Sequence, residues 1–155
     1  MRSSLWLVVL GSLLLVPLES SGAASPQVAI GEVTTEVARR DVDLGVVLRA
    51  MLEQELKSVD MGNRPQPKPT ILSVSLVQMD RAQASPSKSL VTVVVSATLR
   101  DKKRGAVLAI LEGRARAENE DRLVDVLERA ALKSAVRGAV SRIPEALDAT
   151  SVTGK

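Results

Sequence analysis

The chain has 155 residues, of which 45% are hydrophobic, enough for one globular domain with a sizeable core. It contains no His, Cys, Phe or Tyr and a single Trp, so thiolate chemistry, imidazole catalysis and most transition-metal sites are excluded. A net charge of +3 is a mild excess, and without aromatic stacking platforms it does not point to a nucleic-acid partner.

Arg2 precedes an apolar run from Leu5 to Leu18, followed by the small residues Ser20 to Ala24. As a helix this run reaches about 21 Å, short of the about 30 Å needed to span a bilayer. Gly22 and Ala24 suit the −3 and −1 positions of a cleavage site, so residues 1–24 read as a signal peptide cut before Ser25. A mature periplasmic or secreted protein is expected, with no transmembrane span. Ser25 stands where a lipoprotein carries its lipid-bearing cysteine, so no lipid anchor is expected.

Val28 to Val37 reads as a strand in which Gly31 absorbs a change of face. Asp41 or Asp43 can cap the following helix, whose apolar stripe is Leu44, Val47, Leu48, Met51, Leu52, Leu56 and Val59. Residues 64–69 alternate polar residues with proline and read as a stiff connector. Thr70–Met79 forms the next strand, and Arg81–Ser89 reads as a long polar hairpin loop.

Leu90 to Arg100 is the strongest strand signal. Val91, Val93, Val95, Ala97 and Leu99 share one face, and Thr92, Ser96 and Thr98 share the other. The basic run Lys102–Arg104 reads as a solvated turn. Residues 106–117 form a last strand, apolar on both faces in its first half. Leu90, Val94, Leu108 and Ile110 are thereby expected on the face turned away from the helices, with Arg114 and Arg116 beside them, as a candidate partner-binding patch.

The final helix is expected from Asn119 or Glu120 to Ile143, where Pro144 stops it, with residues 148–155 as a flexible tail. Its apolar residues fall into two groups. Leu123, Val126, Leu127, Ala130 and Ala131 lie nearly opposite Leu132, Ala135, Val136, Ala139, Val140 and Ile143, which calls for a bend near Ala131–Lys133 or a second packing surface. Asp41/Asp43 and Glu118/Glu120/Asp121 are the acidic clusters, and both suit helix starts better than catalysis. No nucleotide-binding glycine motif is present, and no cofactor is implied.

The expected fold is α+β, ordered β-α-β-β-β-α, a four-stranded mixed sheet with two helices on one face within a single domain over residues 25–147. In that order the chain resembles small envelope modules of bacteria: the lipopolysaccharide-assembly lipoprotein, the penicillin-binding-protein activators and TolB-like domains. The resemblance rests on the strands at 28–37, 70–79, 89–100 and 106–117 and the helices at 44–59 and 120–143. With no catalytic constellation in the sequence, the expected function is a non-catalytic binding or assembly accessory of the cell envelope with a protein partner. The alternative is a periplasmic carrier holding a lipid or acyl chain between sheet and helices.

Overall fold

The computed structural model describes residues 28–39, 42–61, 69–120 and 123–152. The expected signal peptide and its expected cleavage site, Asp41, Asp121 and most of the proline-rich connector lie outside the described residues.

The β-branched residues Val28, Ile30, Val33, Thr34 and Thr35 favour an extended chain and build strand β1, Val28–Thr35. Its register slips between Ile30 and Val33, at Gly31, so that Val28, Ile30 and Val33 all reach the core despite their spacing. Helix α1, Leu44–Ser58, starts at Asp43, whose carboxylate accepts from the Gly45 and Val46 amides. Leu44, Leu48 and Leu52 are buried, with Val47, Met51 and Leu56 packed beside them, as the three- and four-residue spacing requires. Strands β2 (Thr70–Ser85), β3 (Lys88–Asp101) and β4 (Val107–Glu120) follow.

The strands lie in the order β1-β2-β3-β4. The β1–β2 pair, joined through α1, is parallel, and the two hairpins are antiparallel. Helix α2, Val124–Val140, packs over β3 and β4 beside α1, and a third helix α3, Ile143–Val152, closes the described chain. The architecture is the expected α+β sheet with its two long helices on one face. The core between these layers is aliphatic: Leu48, Leu52, Leu72, Leu76, Val91, Val93, Val95, Leu99, Val136 and Val140 have no accessible surface.

Four local expectations are corrected. The polar segment Arg81–Ser89 is not a long loop: β2 and β3 pair as far as Ser85 and Lys88 around a two-residue turn at Pro86–Ser87. Here the hairpin is solvated on both sides, so no apolar alternation marks it as strand. Next, β4 continues to Glu120, so Glu118 and Glu120 belong to a strand; α2 begins at Val124 with no side-chain cap. Then α2 has no break near Ala131. Leu127, Glu128, Ala131, Leu132, Ala135, Val136, Ala139 and Val140 form one buried stripe, while Leu123 and Val126 face water. Finally, Pro144 sits in the first turn of α3, where its missing amide costs nothing, and Asp148–Val152 continue that helix. Ile143 is fully buried, so α3 remains anchored to the core.

At the β3–β4 end the basic run Lys102–Arg104 forms an exposed turn. Asp101 accepts from the Lys103 and Arg104 amides, and Gly105 takes the positive φ of 67° that closes it.

Candidate functional site

Because α1 and α2 cover one face of the sheet, the outer face of β1–β4 presents its own side chains to solvent. Its middle is a row of hydroxyls, Thr34, Ser73, Ser75, Ser96 and Thr98, lining a shallow depression together with Glu32. Ser73, Ser75, Ser96 and Thr98 fall where the alternation of the strands places them.

The structure separates the candidate contact residues. Ile110 lies opposite Thr98 on the outer face and is 70% exposed. Val94 lies on the same face but only 8% of it is exposed. In the register it stands between Gln78 and Arg114, and it does not join the core. Leu90, half-buried, pairs with Ala82 and Glu118 at the far end of β3. From Leu90 to Thr98 the strand advances eight residues, about 27 Å at about 3.4 Å per residue. The three do not form a contiguous apolar patch.

Leu108 leaves the group altogether. The β3–β4 register shifts so that Leu99 faces Ala109 and Arg100 faces Val107, leaving Leu108 as the extra residue of a bulge. It turns inward and packs against the core. Arg114 and Arg116 are both exposed on β4, opposite Val94 and Thr92.

Arg114 forms a hydrogen-bonded ion pair with Glu112, one outer-face position before it. This hydrogen bond, reinforced by the guanidinium charge, holds the Glu112 carboxyl below the ordinary glutamate range and raises Arg114 further. A group so shifted contributes its stabilisation fully above the unfolded-state value and loses it as pH falls through the lower folded value. NMR titration should therefore find Glu112 below the ordinary glutamate range, and Arg114→Ala should raise it back toward that range. An unchanged Glu112 midpoint in that variant would remove the pair from solution.

A second feature lies at the end of the sheet where α1 and α2 both begin. Here Arg39, Val42, Leu44, Val47, Met79, Asp125, Glu128, Arg129 and Leu132 line an open cleft of about 210 Å³. Its wall is an ion-pair cluster. Glu128 on α2, only 6% exposed, accepts from Arg39 beyond β1 and from Arg81 on β2, and Asp125 stands 3.7 and 3.6 Å from the same two arginines. The hydrogen bond from Arg81 to Glu128 raises the Arg81 guanidinium above its ordinary value, so it keeps its charge at any accessible pH. A buried acid that already holds two bases is a pin tying β1, β2 and α2 together, with no free base for proton transfer.

Sequence reading passes over these residues. Arg81 falls in a segment expected to be a loop, and Glu128 is charged. The available signal is position: Glu128 occupies the same helical column as Leu132 and Val136, where an acid is buried with a partner. Glu55 shows the same signal on α1, one step beyond Leu52, and there Arg137 of α2 donates to it from Nε at 3.0 Å and Nη2 at 3.3 Å.

Among the described residues no three carboxylates gather as a metal-ligand set, and no helix is long and apolar enough to cross a membrane.

No family model and no curated protein matches the chain. Solved structures do. A hypothetical protein of Chlamydia trachomatis is 11% identical, with a TM-score of 0.59 over 79% of this chain and 97% of that one. A minor lipoprotein of Acinetobacter baumannii is 13% identical, with a TM-score of 0.53 over 77% of this chain and 92% of that one. A protein of Xanthomonas campestris is 13% identical, with a TM-score of 0.51 over 84% of this chain and 90% of that one. The chain thus shares its fold with small bacterial proteins, a lipoprotein among them. The likeness is one of fold, and it does not single out the lipopolysaccharide-assembly, penicillin-binding-protein-activator or TolB-like families.

Proposed function

We propose that this protein is an exported, non-catalytic accessory of the bacterial cell envelope that binds a protein partner on the outer face of its sheet. The observation carrying this reading is that both long helices pack on the opposite face, leaving Ile110 70% exposed beside the hydroxyl row and the Glu112–Arg114 pair. A mixed surface of this kind, with one large aliphatic residue among polar groups, suits a partner better than plain solvation does. The lipoprotein with the same fold and the apolar N-terminal run support an envelope setting. The absence of His and Cys from the chain, and the arginine pairing of buried Glu55 and Glu128, support a non-catalytic role.

The carrier alternative has less support. A residue bordering a ligand-sized void has accessible surface, and Leu48, Leu52, Leu72, Leu76, Val91, Val93, Val95, Leu99, Val136 and Val140 between sheet and helices have none, while the open cleft at the helix starts is walled by charged residues.

A photo-crosslinking residue at Ile110 tests the reading in cells, with Val46, 64% exposed on α1, as the control position. A protein adduct from position 110 and none from position 46 is expected. Equal labelling from both, or none from 110, overturns the site. Fractionation of the same cells should recover a chain beginning at Ser25 outside the cytoplasm; an intact N-terminus in the cytosol overturns export.

A further inference from the structure

Strand β4 is an edge of the sheet, and its two halves differ. In the first half the edge is blunted: Leu108 bulges, and Arg142, just before α3, donates to the carbonyl of Glu112 at 3.2 Å. That bond also shows which way the backbone points. The Glu112 carbonyl faces away from β3, so by strand alternation the backbone groups of Arg114, Arg116, Glu118 and Glu120 face away too. All four residues are exposed. At the tip the Glu120 amide donates to the Asn119 side chain at 2.8 Å, as an amide without a ladder does.

The four outward residues read Arg, Arg, Glu, Glu at alternate positions. Reversed, the series becomes Glu, Glu, Arg, Arg. We infer that residues 114–120 pair antiparallel with the same residues of a second copy of this chain, about a two-fold axis at Ala117. In that register Arg114 faces the second copy's Glu120 and Arg116 faces its Glu118, and the two-fold axis repeats both pairs. The same pairs exchange the outward amides and carbonyls, so the ladder and the charges require one register. On the helix side Ala117 meets Ala117 and Ala115 meets Asn119, small side chains that leave α2 clear. The existing contacts of Arg114 with Glu112 and of Glu118 with Lys88 at 3.4 Å are surface pairs that can exchange partners. The product is a continuous eight-stranded sheet whose outer faces lie on one side.

Seven residues of edge make a small interface, so the dimer is weak and salt-sensitive. Sedimentation velocity of the full chain, across about 1 to 500 µM at low salt, should show a monomer–dimer equilibrium. Arg116→Glu sets Glu against Glu at both central pairs, and Glu118→Arg sets Arg against Arg; each should raise the dissociation constant at least about tenfold. An equimolar mixture of these two variants restores opposite charges at both central pairs and should dimerise within about threefold of the unaltered chain. The mixture is the deciding arm, because two misfolded proteins would not rescue each other. A chain that stays monomeric throughout, single variants that dimerise normally, or a mixture that fails to associate would each overturn the assignment.

Discussion

Gly113→Ala is expected to destabilise the protein by roughly 3 kcal/mol or more, the upper end of what overpacking a core costs. Gly113 lies on β4 where α2 crosses it. A Cβ there would sit 1.9 Å from the carbonyl oxygen of Ala135, 2.8 Å from its carbonyl carbon and 2.9 Å from the Ala139 amide nitrogen. These are backbone atoms of a helix, and none can rotate away. The whole of α2 would have to lift, and with it the buried stripe from Leu127 to Val140. Its counterpart on the helix provides the control. A Cβ on Gly138 would stand 3.8 Å from the Gly113 Cα, an ordinary contact, so Gly138→Ala should be neutral or stabilising by up to about 1 kcal/mol through helix propensity. Urea unfolding of the two variants measures both effects. Equal stability of Gly113→Ala and the unaltered chain would mean that α2 does not lie this close to β4 in solution.

How much of this was legible in the residues follows from what each pattern encodes. Strands and helices that bury one face announce themselves by period. The alternation from Val91 to Leu99 and the Leu44–Leu48–Leu52 column therefore yield the chain order of strands and helices, the mixed sheet and the layer of helices on one face. The hairpin beyond Met79 buries neither face, so Arg81 and its neighbours carry no period to read. Bulges are hidden for a different reason. The period of two fails at Leu108 because one residue is added to a strand, and nothing local in Val-Leu-Ala-Ile marks which residue is extra. Leu108 therefore leaves the expected outer group, while Ile110, Arg114 and Arg116, beyond the bulge, keep the face expected of them. Glu55 and Glu128 were hidden by charge. A carboxylate in an apolar helical column is read as solvated until the arginine that meets it, remote in sequence, is placed beside it.

That pairing leads to an unequal effect of two substitutions at one ion pair. Glu55 is 4% exposed, whereas the Arg137 side chain is 65% exposed. Removing the acid with Glu55→Met releases Arg137 into water it already touches and gives the buried position an apolar side chain of similar length, so stability should change by less than about 1 kcal/mol. Removing the base with Arg137→Met leaves a carboxylate in the α1–α2 interface without its bidentate donor. The exposure of Arg137 lets water approach, so the loss is smaller than at a fully buried pair but larger than that from Glu55→Met. The acid raises Arg137 above its ordinary value by hydrogen bonding, so the base stays charged and the pair does not break from that side as pH rises. The double variant Glu55→Met/Arg137→Met should recover most of what Arg137→Met loses, because neither helix then presents an uncompensated charge. Thermal and urea unfolding of the three variants supply the cycle. A larger loss from Glu55→Met than from Arg137→Met would mean that water reaches Glu55 freely, and that α1 and α2 are held by their leucine and valine contacts alone.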